Sequence, residues 1–217
     1  MTRTLLIGTG NQGKLREIQK ILGDVPFSLR DATGVAAPEE SGDTYTANAI
    51  SKAQYYADAT GLWALADDSG LEVEALGGAP GVYSARYAGD GASDADRRAL
   101  LISELGRSGN KSRRARFVCV VAIAAPNHEV LNVSEGFCEG EIALSERGAG
   151  GFGYDPLFIP DEYDLTFAEL PEAVKNRISH RGRALAKAKQ FLISSEFGSS
   201  VTDPRNHTKK TQRPVED

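Results

Sequence analysis

The chain reads as an α/β domain built on a mixed sheet. Three observations carry that expectation. An apolar run, Leu5-Leu6-Ile7, passes through a glycine-rich turn into a helical pattern. A longer helical pattern later leads into another apolar run, Leu62 to Ala66. Further on, two β-rich runs are separated only by Pro126-Asn127-His128. Crossover helices require parallel pairing and a hairpin requires antiparallel pairing, so one sheet must hold both.

In chain order, Leu5 to Ile7 is a buried strand, and Leu15, Ile18, Ile21 and Leu22 recur at helical spacing behind it. Phe27 to Arg30 is a second short strand. An Ala-rich helix runs from Thr44 to Ala59 and is closed by Gly61. The strand Leu62 to Ala66 is expected to end at Asp67-Asp68-Ser69-Gly70. Ser93 followed by Asp96 is a capping box, with acids in the first turn where the helix dipole favours them, and it opens a helix through Leu105. Phe117 to Ala125 and Val130 to Cys138 form the hairpin. Gly148 to Gly153 is a glycine-dense loop. The last helix spans Ser179 to Ser194, with Leu185, Ala188 and Leu192 along its buried face.

The chain has 217 residues, of which 41% are hydrophobic and 25% charged, enough for one domain with a sizeable core. Residues 1–197 are read as that domain. Residues 198–217 are polar with almost no apolar anchors and are read as a disordered tail. A net charge of -5 argues against a nucleic-acid partner, although a local basic site for a polyphosphate remains compatible with it. The N-terminal apolar run is too short for a signal peptide or a membrane span. Cys119 and Cys138 have no metal-binding spacing, and His128 and His207 read as solvated, so a reduced, cytoplasmic protein is expected.

Three groups of residues carry chemistry. Gly8-Thr9-Gly10-Asn11-Gln12-Gly13-Lys14 lies between a strand and a helix, where backbone N–H groups and the helix dipole attract an anion. It matches both a dinucleotide fingerprint, with Asp31 near the distance of the ribose-binding acid, and a P-loop. Leu15 stands where a P-loop needs a hydroxyl for Mg²⁺, and regular βαβ units do not follow, so neither match holds. A different phosphate site, with Lys14 as a point charge, is favoured over a plain structural turn.

Asp67-Asp68 at a strand end is the second group, and Glu39-Glu40 on a loop is its possible partner. Paired carboxylates hold a hard cation such as Mg²⁺, which takes one or two of them plus phosphates and waters, and one can accept a proton from water. Which aspartate is the base stays open, and a solvated turn is the competing reading for both pairs. Third, Phe152 and Tyr154 sit in Gly150-Gly151-Phe152-Gly153-Tyr154-Asp155-Pro156, where they are either a stacking surface for a purine or core anchors of the loop. Ser179 is a good N-cap for the helix that brings His180 and Arg181.

Taken in order, Thr9 to Lys14, Glu39 to Gly42, Asp67 to Leu71, Gly77 to Tyr87, Gly150 to Pro156 and Ser179 to Arg181 closely resemble the inosine triphosphate pyrophosphatase family. The resemblance covers about residues 4–195, and Gly8 replaces the alanine usual before the first threonine. It implies an elongated mixed β-sheet with flanking helices, two lobes around a nucleotide-binding cleft, Mg²⁺ dependence and a homodimer. It also implies that Thr9, Gly10, Asn11, Gln12, Gly13, Lys14 and Lys175 hold a triphosphate. Asp68 is then proton acceptor and metal ligand, Glu39 a further metal ligand, and Ser69 a substrate contact. Phe152, Gly153, Tyr154 and Asp155 would shape the base pocket that His180 and Arg181 read. The implied reaction converts ITP, dITP or XTP to the monophosphate and pyrophosphate. Rival readings are an NAD-type oxidoreductase, from the glycine spacing, and a non-catalytic nucleotide sensor, which two adjacent carboxylates beside phosphates disfavour.

Overall fold

The computed structural model describes residues 3–194. The tail expected over 198–217 lies outside the described residues. Six strands form one sheet in the order β2-β1-β3-β4-β5-β6. They are β1 (Arg3–Ile7), β2 (Phe27–Asp31), β3 (Trp63–Val73), β4 (Arg114–Ala125), β5 (Glu129–Ile142) and β6 (Phe158–Pro160). β1 pairs in parallel with β2 and β3, and every pairing from β3 onward is antiparallel. The mixed sheet is therefore as the sequence predicts, and three adjacent parallel strands are too few for the crevice of a dinucleotide-binding fold.

Helix α1 (Gln12–Ile21) and the last helix, α5 (His180–Ile193), pack on one face, where Ile18, Leu185 and Leu192 meet Leu5, Leu65 and Val121. Helix α2 (Tyr45–Thr60) covers the other face with Ala49, Ala53 and Ala57 against Ala64, Ala66 and Val120. Small residues on both sides let α2 lie close to the sheet. Thr44 caps it by accepting from the Ala47 N–H, and Gly61 closes it in a left-handed conformation. Beyond these helices the same strands carry a second core, in which Leu71, Phe117 and Phe158 meet Leu101 and Leu105 of α3 (Asp94–Arg107). The expected capping box of α3 is present, with both Ser93–Asp96 bonds formed. A short α4 (Glu172–Ile178) precedes α5 and was not evident from the sequence.

One expectation about β3 fails in an informative way. The strand does not end at Asp67 but runs through Asp-Asp-Ser-Gly to Val73, paired throughout with β4. β1 stops at Ile7, opposite Leu65, so beyond that point β3 has lost its neighbour on one side. The Gly8 N–H makes the last bond, to Leu65 O at 2.7 Å, and the chain turns away. The gap opens between the two cores, at the middle of a long strand.

Candidate active site

An open cleft occupies this gap. Asn11 and Lys14 reach it from the start of α1, Asp68, Ser69 and Gly70 from β3, and His180 and Arg181 from α5. Phe152 to Asp155 come from the glycine loop, and Asp94 and Arg97 from α3. The convergence follows from the chain path: parallel strands place the β1–α1 turn beside the middle of β3, and Ser179, accepting from the Gly182 N–H, starts α5 at the same level.

Because alternate residues of a strand face opposite sides, the adjacent aspartates live in different surroundings. Asp67 points to the α1/α5 face, where its Oδ2 lies 3.2 Å from Lys14 Nζ and accepts from Arg181 Nε at 3.2 Å and Ser69 Oγ at 3.3 Å. Burial works to raise its pKa, but Lys14, Arg181 and Lys52 overcome this and hold the carboxyl well below the usual range. Its Oδ1 is buried without a hydrogen-bond partner. Asp68 points toward α2, accepting from Asn48 Nδ2 at 3.0 Å and Lys52 Nζ at 3.2 Å. There burial prevails over Lys52 and Lys14, with Glu40 adding like charge, so Asp68 lies above the ordinary carboxylate range. Of the two, Asp68 has the raised proton affinity and the smaller set of partners that suit a general base.

The basic residues divide in the same way. Arg181 is 2% exposed and donates to Glu17 Oε2 at 2.5 Å and Ser69 Oγ at 2.8 Å as well as to Asp67. Its guanidinium carbon lies 5.5 Å from the centre of the Phe152 ring. Lys175 is locked between Glu17 at 2.7 Å and Asp155 at 2.5 Å, beneath the same ring. The ring of His180 stacks on Phe117 at 4.4 Å and 8°, and its Nδ1 is buried without a partner. Burial, reinforced by Arg181 and Lys175, drives its pKa well below 6.5, so the imidazole is neutral.

Several expected roles change in this geometry. Lys175 does not line the cleft, since its ammonium is spent on two buried carboxylates. Of Thr9 to Lys14, only Asn11 and Lys14 line the wall, and the N–H groups of Gly13 and Lys14 already donate to Asn11 Oδ1. A side chain on Gly13 would run into Phe152, so that glycine seats the aromatic ring on α1. Tyr154 belongs to the core and donates its hydroxyl to Ser84 O at 3.0 Å, which leaves Phe152 as the ring available for stacking. Asp155 accepts from the Phe152 N–H at 2.8 Å and holds the loop from beneath.

The two glutamates of the acidic loop stand differently toward the cleft. The side chain of Glu39 is exposed and outside it, whereas Glu40 lines it. Lys52 Nζ lies 2.5 Å from Glu40 Oε1 and 3.2 Å from Asp68 Oδ1, so these two carboxylates already converge on a cation. Among the described residues no three His, Cys, Asp or Glu side chains gather into a metal cage. Two facing carboxylates nevertheless fit Mg²⁺, which takes its remaining ligands from phosphates and water. Sequence reasoning missed Glu17, Asn48 and Lys52. Asn48 and Lys52 stand four apart on the helix face that also carries Ala49, Ala53, Tyr56 and Ala57, a pattern that marks them as turned inward.

The Ham1 family model matches residues 5–191. The dITP/XTP pyrophosphatase of Geobacter sulfurreducens is 51% identical over 195 residues, spanning 88% of this chain and 97% of that protein. The dITP/XTP pyrophosphatase of Nostoc sp. is 50% identical over 186 residues, 86% of this chain and 92% of its own length. The solved structure of a HAM1 protein from Coxiella burnetii matches with a TM-score of 0.81 at 42% identity, covering 88% of this chain and 98% of that one. Strand order, cleft and the run of matched residues lead to one assignment: this chain is a member of the Ham1 family.

Proposed function

We propose that this chain is an Mg²⁺-dependent pyrophosphatase that hydrolyses ITP, dITP and XTP to the monophosphate and pyrophosphate, and that it works in the cytoplasm as a homodimer. The observation that carries the reading is the adjacent pair on β3: Asp68 lines the cleft with raised proton affinity, and Asp67 behind it is fixed as an anion by Lys14 and Arg181. The names of the relatives supply the substrate class. Both cysteines are buried free thiols, which fits a reducing compartment.

In this reading the triphosphate lies along the open edge of β3 with its phosphates between Lys14 and Lys52. Both ammonium groups turn from their carboxylates to phosphate oxygens and neutralise charge there. Asp68 orients the attacking water and accepts its proton. A bound Mg²⁺, held by Asp68 and Glu40, would supply Lewis-acid charge neutralisation at the phosphates. The base stacks on Phe152, and the guanidinium N–H groups of Arg181 not used on Glu17, Asp67 and Ser69 face a 6-keto oxygen. ATP presents a 6-amino group there, leaving donors unpaired at a cost of about 1–3 kcal/mol. Stacking alone does not discriminate, because every purine has a π-face.

Pyrophosphate release from ITP, XTP, dITP, ATP and GTP with and without Mg²⁺ tests the reading. We expect kcat/KM for the first three to exceed that for ATP and GTP by a large factor, with no turnover in chelator. Similar values for all five would replace this reading with a general triphosphate pyrophosphatase. Sedimentation analysis tests the dimer.

A further inference from the structure

We propose that the first turn of α3 is a positioning clamp for the base-binding loop: Asp94 and Arg98 grip the Gly153 peptide from both sides and so fix where Phe152 stands. The inference rests on the proposed function only in taking Phe152 as the surface for the base.

The geometry is specific. Asp94 Oδ2 accepts from the Gly153 N–H at 2.7 Å, and Arg98 Nη1 donates to Gly153 O at 2.8 Å. Arg98 Nε also lies 3.0 Å from Glu146 Oε1, an ion pair without a hydrogen bond at that nitrogen, so the same guanidinium contacts the segment just before the glycine-dense stretch. Gly153 has φ +59 with open space where a side chain would stand, so the bonds, not steric packing, define its place. The other oxygen of Asp94 binds Arg97, which also donates to Ala85 O at 2.9 Å and Ala92 O at 2.6 Å. The turn is thereby tied to its own surroundings. Its helix is rigid at this end because the Ser93–Asp96 capping box is closed, and Leu101 and Leu105 anchor it in the second core.

The clamp therefore spans the cleft. Phe152 is supported from one side by Asp155, Lys175 and Gly13, and the adjoining peptide is held by a helix that belongs to the other half of the sheet. A glycine-rich loop loses more backbone entropy on ordering than other segments. Ordering it before the ligand arrives removes that cost from binding. Arg98 does not line the cleft, so its influence on a ligand must pass through Gly153 and Phe152.

Calorimetric titration of the full chain with IMP and, separately, with inorganic pyrophosphate in Mg²⁺ buffer tests the clamp. Loss of one clamp bond in Arg98→Met or Asp94→Ala is expected to weaken IMP about five- to tenfold, the scale of one hydrogen bond, and to leave pyrophosphate within about twofold. Asp94→Asn keeps an acceptor for the Gly153 N–H and is expected to restore most of the IMP affinity. Equal weakening of both ligands would mean general disorder and would overturn the clamp. So would wild-type IMP affinity in Arg98→Met alongside weak binding in Asp94→Ala, since Asp94 would then act by touching the ligand itself. Wild-type ITP hydrolysis is measured in parallel: its absence sinks the proposed function, whereas the clamp is judged on the two affinities alone.

Discussion

The two faces of β3 hold charge in opposite ways. On the α1/α5 side, Glu17, Asp67 and Asp155 are matched by Lys14, Lys175 and Arg181, nearly all buried and joined by short bonds. On the α2 side, Asp68 and Glu40 are matched by Lys52 and Arg86, with Glu40 and Arg86 partly open to solvent. Both sets balance in formal charge. Lys14 apart, which reaches the cleft, the first has hardly any freedom to change partners, while the second can exchange an ammonium for a metal ion or for water. A preorganised frame and an adjustable reaction centre are thus built on neighbouring residues of one strand.

The sharpest test of that contrast is Asp68→Asn. The amide keeps the shape and the Lys52 contact but cannot accept a proton, and kcat should fall roughly 10²–10⁴-fold while nucleotide affinity changes far less. Near-wild-type kcat at saturating Mg²⁺ would show that the base lies elsewhere. Next in size, Arg181→Met strands Glu17 and Asp67 in the buried frame and should cost about 3–5 kcal/mol in denaturant unfolding. Lys52→Met should cost clearly less, because Asp68 lies above the ordinary carboxylate range and Glu40 is partly open to solvent. Equal losses in the two variants would erase the distinction between frame and centre.

Much of this arrangement is legible in the sequence because it rests on local rules. Thr44, Ser93 and Ser179 announce their helices through cap chemistry, and the apolar run of β4 announces a buried strand. What escapes is set by tertiary pairing. Asp67-Asp68-Ser69-Gly70 has the composition of a turn, yet pairing with Val118 to Val121 of β4 keeps it extended. Glu39 and Glu40 are indistinguishable by type, and only the fold turns Glu40 inward. Glu17 and Lys52 were passed over because a single charge on a helix is ordinarily solvated.

A third test separates the two glutamates of the acidic loop. Glu40→Gln should raise the Mg²⁺ concentration for half-maximal activity about tenfold or more, whereas Glu39→Gln should leave it unchanged. The reverse result would favour Glu39 and require the loop to move.

The smallest expected effect is on pH dependence. His180 takes a proton near pH 6.5 when unfolded but stays neutral well below that when folded. Below that pH the unfolded state binds the extra proton, so stability falls on acidification, by up to about 1.4 kcal/mol per pH unit, and the effect is absent above neutrality. Asp68 and Asp155, held above the ordinary carboxylate range by burial, bind protons more readily when folded and act with the opposite sign, so the His180 contribution is read as a difference between wild type and variant. Between pH 6.5 and 5 the wild type should therefore lose stability on acidification more steeply than His180→Asn, whatever that variant does to overall stability. An equally steep loss in the variant would assign the titration to another group.

The open edge of β3 has a consequence for self-association. From Ala66 to Gly70 the strand lacks a neighbour on one side, and pairing resumes only where Glu72 bridges Pro80 and the Leu71 N–H donates to Ser84 Oγ. An unpaired edge in the middle of a sheet is a template for a foreign strand. Two of the five residues in this stretch carry carboxylates that must be desolvated by any strand docking there. Inward-pointing charge is a known guard against edge pairing, so Asp68, proposed to hold metal and activate water, would together with Asp67 also keep the half-folded chain from polymerising through its own cleft.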